Sequence, residues 1–480
     1  MGVNPTFLWY DLETFGRDPR RSRIAQFAAI RTDAQLQPIE DPIALYCRPA
    51  EDLLPSPTAC VLTGITPQRA EREGLIEAEF MARVHDALAQ PGTCAAGYNS
   101  LRFDDEFVRH SLYRNFFDPY EREWRNGNSR WDLLDLVRLA FALRPDGLVW
   151  PQHVDGVPSF KLEDLARANS LSHSQAHDAL SDVEATLGLA RAVRNAQPKL
   201  FDYYLGFRNK QRATGMLDYA GMTPVLHVSG RYPASQRCAA LVLPIAPHPS
   251  ISNRVIVCDL QPDPAPLLEL DAEDIADRLY TPARDLPPGE ARVSLKEVHL
   301  NRCPALVELR HLTDDDLERL QIDLPICLAH ADRLREHPGL AEKVRRVYAQ
   351  RGSREPSDPD LALYDGFASD TDRARMLDVR RASPEQLARN RPEFRDPRFA
   401  ELLFRYRARN WPETLSSDEA ERWRAYCKNR LESDSGLSEY TYETYFAEID
   451  ALRQQRGDEP GLPVILDALQ AWGLRLRANA

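Results

Sequence analysis

No stretch of this 480-residue chain approaches the ~18 consecutive apolar residues that a membrane-crossing helix needs. The start of the chain has no basic segment ahead of an apolar one, so no secretory signal is read there. Its opening MGVNPT fits a loose myristoylation pattern, but a first strand expected from about Thr6 leaves no free arm for a lipid. Cysteine is sparse and scattered: eight residues (47, 60, 94, 238, 258, 303, 327 and 427), none in a C-x-x-C pair and none grouped with histidine at zinc spacing. Neither a disulfide framework nor a structural zinc is supported, and a reducing cytoplasm is the expected compartment. The G-x-x-x-x-G-K-[ST] loop that cradles nucleotide phosphates is missing, which argues against ATP-driven work. Internal repeats and low-complexity tracts are absent too. So is any excess of positive charge: 61 Lys and Arg stand against 73 Asp and Glu, a net charge of −12. That argues only weakly against a nucleic-acid partner. A site built from carboxylates is itself acidic, and binding depends on local patches.

What is present fits a folded globular chain, with 43% hydrophobic and 28% charged residues. At roughly 150 residues per domain, the length suggests about three domains. FLWYDLETF, IAQFAAIRT and IALYCRP read as three strands with short connections, an antiparallel meander. Residues 67–89 turn helical, 93–99 read as a small-residue strand, and 105–116 and 130–143 as helices. KLEDLARANSL and HDALSDVEATLGLARAVRN add two more helices, giving an α/β layer with a mixed sheet. From about residue 199, short pieces such as PVLHVSG, CAALVLPIA and RVIVCDL suggest a small barrel or sandwich. RGSREPSDPD (351–360) reads as a linker, and the remainder is helical. The expected divisions are 1–197, 198–351 and 352–480.

The chemistry concentrates in a few side chains. Asp11 and Glu13 follow the apolar run Phe7-Leu8-Trp9-Tyr10, and residues two apart on a strand face the same side. Two carboxylates held together at the edge of a core repel one another, so either one keeps its proton or a cation sits between them. A divalent metal answers this most simply, and it makes Asp104 and Asp182 candidates to weigh as further ligands. Asp105 is the fallback for Asp104, since the two are adjacent. D-x-E by itself is a poor signal: Asp271-Ala-Glu273 repeats it with no strand before it and is assigned no function. His177 precedes Asp182 by five residues, about 140° of rotation on a helix. The two converge only if His177 lies in the loop before the helix. The plain alternatives are solvated acids at a strand end, a satisfied loop histidine and a helix-capping aspartate.

DLETFG on the first strand, NSLRFDDEF in the middle and HDALSD on a late helix together resemble the DEDD exonucleases of the histidine-containing subgroup. AQFAAIRTD, TGITP, YRNFFDPY, NSRWDLLD, FRNK, HVSG and LLFRYRARN extend the resemblance to bacterial exonuclease I, from about Phe7 through the C-terminal helices. The resemblance implies a ribonuclease-H-like catalytic domain, an SH3-like barrel and a C-terminal helical domain that together embrace the substrate. The implied activity is removal of nucleotides from the 3′ end of single-stranded DNA, releasing 5′-mononucleotides in repair and recombination. It also implies two Mg²⁺ ions per site, with Mn²⁺ as a substitute, held by Asp11, Glu13, Asp104 and Asp182. Such ions clamp the attacking and leaving oxygens of an in-line displacement, and hard oxygen donors suit them. His177 is implied as general base, a role that an imidazole with a pKa near 6.5 suits. A monomer is implied, and so is a partner: the acidic C-terminal tail of single-stranded DNA-binding protein. In PSFKLEDL this chain has Lys161 where the family leads one to expect arginine. A lysine contacts phosphate as a point charge and not as a bidentate fork.

Between Arg109 and Arg138, arginines interleave with aromatics, the composition of a single-strand groove. The resemblance favours Arg109, Tyr120, Trp124 and Arg138, alongside Glu13 and Lys161, as substrate contacts. The plain alternative is core aromatics with arginines paired to Asp118, Glu121 and Glu123. Lys199 to Arg237 carries six Lys or Arg against two Asp and reads as a DNA-backbone contact at the start of the barrel. YRARNW (406–411) reads as structural packing. Two other functions compete: an RNA exonuclease, separated from the first by as little as a 2′-hydroxyl contact, and a non-catalytic single-strand binder, which the complete carboxylate set opposes.

Overall fold

The computed structural model describes residues 5–171, 178–287, 290, 292–349 and 357–479. His177 and most of the expected linker (351–356) lie outside the described residues. Among the described residues, no helix is long and apolar enough to cross a membrane, and the eight cysteines are free and buried.

The described chain falls into two compact units. One holds the residues up to Ser129, those up to Leu187 that follow Asp178, and the C-terminal helices. Its sheet is built on β1 (Thr6–Thr14), β2 (Ile24–Thr32), β3 (Ile43–Tyr46) and β4 (Thr93–Gly97), ordered β3-β2-β1-β4. β1–β2 and β2–β3 are antiparallel, the expected meander, while β1 and β4 run parallel, which makes the sheet mixed. β1 is apolar on both faces because both are covered. Leu8, Tyr10 and Leu12 pack with Phe27, Phe80, Val84, Phe107 and Leu112 on one side. Phe15 and Ala25 share a second core with Leu53, Tyr445, Leu469 and Trp472, so the C-terminal helices pack where β1 ends.

The other unit contains an antiparallel sheet ordered β10-β6-β7-β8-β9, with β6 Val225–Val228, β7 Ala239–Pro247, β8 Arg254–Asp259, β9 Leu295–His299 and β10 Ala305–Glu308. Leu243, Ile256, Ile275, Cys327 and Val344 lie in its core, which the helices Ala272–Tyr280, Leu324–Glu336 and Leu340–Ala349 cover.

Three local readings change. Residues 130–143 are not one helix: β5 (Ser129–Asp132) comes first, and Asp132 caps a helix that starts at Leu133 by accepting the Leu134 N–H. Apolar spacing could not show that break, because a buried strand and a buried helix turn look alike over four residues. The helical stretch 67–89 is two helices, Pro67–Glu73 and Glu77–Leu88, divided at Gly74. The basic run from Lys199 begins in helices, Pro198–Leu205 and Lys210–Met216, before β6, the first strand of this sheet; Pro198 at the first helical turn and the Asn209 cap set their starts. Asp271, passed over in the sequence, caps Ala272–Tyr280 by accepting the Glu273 and Asp274 N–H groups.

Candidate active site

β1 delivers the first two acids. Asp11 pairs with Ala28 and Glu13 with Gln26 on β2, and the register shifts between Glu13 and Thr14. An irregularity of this kind bends a strand and re-aims its side chains, and it recurs beside active sites. The third acid arrives from the helix Ala179–Ala196, where Asp182 lies in the first turn and its N–H donates to the Asp178 carbonyl. Asp11, Glu13 and Asp182 each bring a carboxylate oxygen to within 4.8 Å of the other two, and they are the one such group among the described residues.

The electrostatics follow from that convergence. Burial pushes the Asp11 carboxyl well above the usual range, and the charges of Asp104, Asp182 and Asp178 push it further. Glu13 is only 8% exposed. Burial, then Asp11, Asp182 and Asp178, push it up to about 10. Carboxylates so placed disfavour their own ionised state, and a divalent cation removes the penalty. The donor set is all oxygen, which suits a hard cation, so the residues fit a divalent metal.

Asp104 and Asp105 separate clearly. Both are buried at the start of the helix Asp104–Arg114. Asp105 accepts the Tyr10 hydroxyl at 2.7 Å and the Arg122 guanidinium at 2.5 Å, which ties it into the sheet–helix interface. Asp104 is the strongest of the neighbouring charges acting on Asp11.

The substrate-contact candidates have varied surroundings. Arg109 is buried, pairs with Glu123 (2.7 Å) and Glu106 (3.1 Å), and lies over the Tyr120 ring. Trp124 is 63% exposed. Arg138 pairs with Asp135 and stacks on Phe160. Lys161 is exposed, near Glu163. In YRARNW, Tyr406, Arg407 and Asn410 are buried, and Arg409 is ion-paired to Asp52 and Asp360, the packing role expected of it.

Sequence reasoning missed two features. Asp178 adds its charge to both β1 acids and accepts from the Gln26 amide at 3.5 Å; its place beside His177 was the available signal. Glu439, hundreds of residues away, bonds the backbone just after β1, and nothing local marks it.

Comparison with known proteins gives consistent matches. Residues 8–190 match the Exonuclease family, 208–350 the Exonuclease I SH3-like domain, and 357–476 the Exonuclease I C-terminal domain. The chain is 45% identical over 465 residues to exodeoxyribonuclease I of Escherichia coli (strain K12), covering 97% of this chain and 96% of that one. The Haemophilus influenzae exodeoxyribonuclease I is 41% identical over 473 residues, 98% of each chain. Among solved structures, a moderately thermophilic exonuclease I from Methylocaldum szegediense superposes with a TM-score of 0.95 at 50% identity, covering 98% of this chain and 99% of that one. E. coli exonuclease I in complex with a dA16 oligonucleotide gives 0.94 at 44%, covering 98% and 100%. A zinc-bound E. coli exonuclease I complex with single-stranded DNA gives 0.94 at 43%, covering 99% and 100%.

Proposed function

Because the chain belongs to the exonuclease I family, we propose that it shortens single-stranded DNA from the 3′ end and releases 5′-mononucleotides. The observation that carries this reading is the convergence of Asp11, Glu13 and Asp182, drawn from two distant segments onto one spot. Asp11, Glu13, Asp104 and Asp182 would hold two Mg²⁺ ions. When bound, these supply Lewis-acid stabilisation of the charge that builds on the phosphate. The protein's own residues do the rest. His177 accepts the proton of the attacking water. Glu13 also touches the substrate, and Lys161 neutralises a phosphate as a point charge. Trp124 and Tyr120 offer ring faces to bases, with Arg109, Arg138 and the basic residues of 199–237 near the backbone.

The same reading assigns the catalytic domain to 1–197, the SH3-like domain to 198–351 and the helical domain to 352–480. It places a monomer in the cytoplasm, where eight free buried thiols are stable. The acidic tail of single-stranded DNA-binding protein is its partner, and repair and recombination are its setting. The test is digestion of single- and double-stranded oligonucleotides labelled at either end, in Mg²⁺, beside a matched RNA. Progressive loss of the 3′ label from single-stranded DNA alone is expected. Release from the 5′ end, or equal digestion of RNA, contradicts the assignment.

A further inference from the structure

The turn that follows the catalytic strand is held by a residue from the far end of the chain. Glu439 lies in the irregular segment before the helix Tyr442–Arg456. Its Oε1 accepts the Arg17 N–H at 2.9 Å and its Oε2 the same N–H at 3.2 Å. It also accepts the Asp18 N–H. The approach is close enough that a Cβ on Gly16 would run into the Glu439 carboxylate, which would have to shift, and come within 2.6 Å of Ser22 Oγ. Those N–H groups sit four and five positions beyond Glu13.

Other contacts brace the same turn. Arg430 donates to the Arg21 carbonyl at 2.8 Å, and Arg114 to the Pro19 carbonyl at 3.3 Å. The Ser56 N–H donates to the Phe15 carbonyl at 2.6 Å, and the Tyr440 hydroxyl bonds Ser56 Oγ at 3.2 Å. Between Glu13 and this braced turn the register shifts at Thr14, whose hydroxyl donates to the Gly16 carbonyl at 2.6 Å, and the Phe15 N–H donates to the Arg23 carbonyl at 2.9 Å. The strand end carrying Asp11 and Glu13 is therefore not fixed by sheet pairing alone.

We infer that Glu439 is a positioning residue for the reaction: by gripping the backbone of Arg17 and Asp18, it fixes the end of β1 so that Asp11 and Glu13 face Asp182 at the cation site. A carboxylate that accepts two backbone N–H bonds is well suited to this task, because charge-assisted bonds are short and directional. The inference rests on the exonuclease reading and adds the C-terminal helical region to the catalytic apparatus without giving it any contact with the reacting atoms.

The test uses the full-length chain with Glu439→Ala, Glu439→Gln and Gly16→Ala. Gly16→Ala displaces the carboxylate from the other side, so it keeps the question answerable if Glu439→Ala fails to fold. Each folded variant is assayed for kcat and KM on single-stranded DNA, and for the Mg²⁺ concentration giving half-maximal rate. The expected result is a fall in kcat, or a rise in the Mg²⁺ requirement, of about tenfold, inside the ~100-fold that a 1 Å misplacement can cause. KM for DNA stays within about twofold, and Glu439→Gln, which keeps one acceptor, lies between wild type and Glu439→Ala. Unchanged kcat and Mg²⁺ requirement in folded Gly16→Ala and Glu439→Gln would overturn the inference, as would a loss confined to KM. An inactive wild type would instead refute the exonuclease reading.

Discussion

Two clusters of carboxylates, one partly and one fully buried, lie in the same compact unit and behave in opposite ways. At the end of β1, Asp11, Glu13, Asp104, Asp178 and Asp182 act on one another, and both β1 acids are pushed up, Glu13 to about 10. Where the C-terminal helices pack on the strand layer, Asp52 and Asp360 are at least as deeply buried, yet both are held below the usual range. Burial alone would raise them too, but Arg409, Arg430 and Arg23 outweigh it at Asp52, and Arg409, Arg405 and Arg23 do so at Asp360. Arg409 reaches both, at 2.8 Å to Asp52 Oδ2 and 2.8 Å to Asp360 Oδ1. The second cluster carries its own cations and holds the fold together. The first has a matching deficit, which under the proposed reading an external cation would fill. The contrast lies in what the chain supplies beside each acid: arginines at Asp52 and Asp360, further carboxylates at Asp11 and Glu13.

Substitutions can break that contrast. Asp182→Ala should have the largest effect, lowering nuclease activity on the order of 10³-fold, the scale on which a preorganised electrostatic contribution is lost, while the protein stays folded by circular dichroism. Asp360→Ala should do the reverse. Removing the buried acid that Arg405 and Arg409 share leaves Arg409 with Asp52 and Arg405 with Asp358 and Glu401, and the excess buried positive charge costs up to about 3–5 kcal/mol, read as a lower denaturation midpoint, with the rate per folded molecule largely kept. Asp11→Asn sharpens the comparison. It should inactivate the enzyme yet raise the melting temperature of metal-free protein, by about 2–4 °C per kcal/mol of repulsion relieved. At the small end, Arg475→Ala removes the exposed pair with Glu71 (2.9 Å) and should shift stability by less than about 1 kcal/mol.

The two clusters also predict opposite pH dependence. Glu13 titrates higher in the folded state than in the unfolded chain. Its contribution to metal-free stability is complete below the ordinary carboxylate range, near pH 4, and is lost as pH rises toward about 10. Asp52 and Asp360 titrate lower when folded. Their contribution is present above pH ~4 and is lost as pH falls through their depressed values. Thermal melts of metal-free wild type and Asp11→Asn from pH 5 to 9 should therefore diverge as pH rises.

Much of the site was legible because its logic is local. Alternation on a strand put Asp11 and Glu13 on one face, and helical periodicity put Asp182 inside a helix. Asp104 was placed ahead of Asp105, but no local feature separates the two, because Tyr10 and Arg122 reach Asp105 from elsewhere in the fold. Arg109 was equally undecidable: its partner Glu123 is fourteen residues away, across a turn. The Asp52–Arg409–Asp360 network and the Glu439 contact join segments hundreds of residues apart, and no periodicity encodes such pairings. The strand inside 130–143 was hidden because its residues are as apolar as the helix that follows.

Calorimetric titration of Mg²⁺ into metal-free protein, in two buffers of different ionisation enthalpy, tests the central claim most directly. Saturable binding with proton release is predicted near neutral pH, since carboxyls that titrate high must ionise to take the cation, and Asp182→Asn should abolish it. Binding that survives Asp182→Asn unchanged, or that releases no proton, would contradict the account.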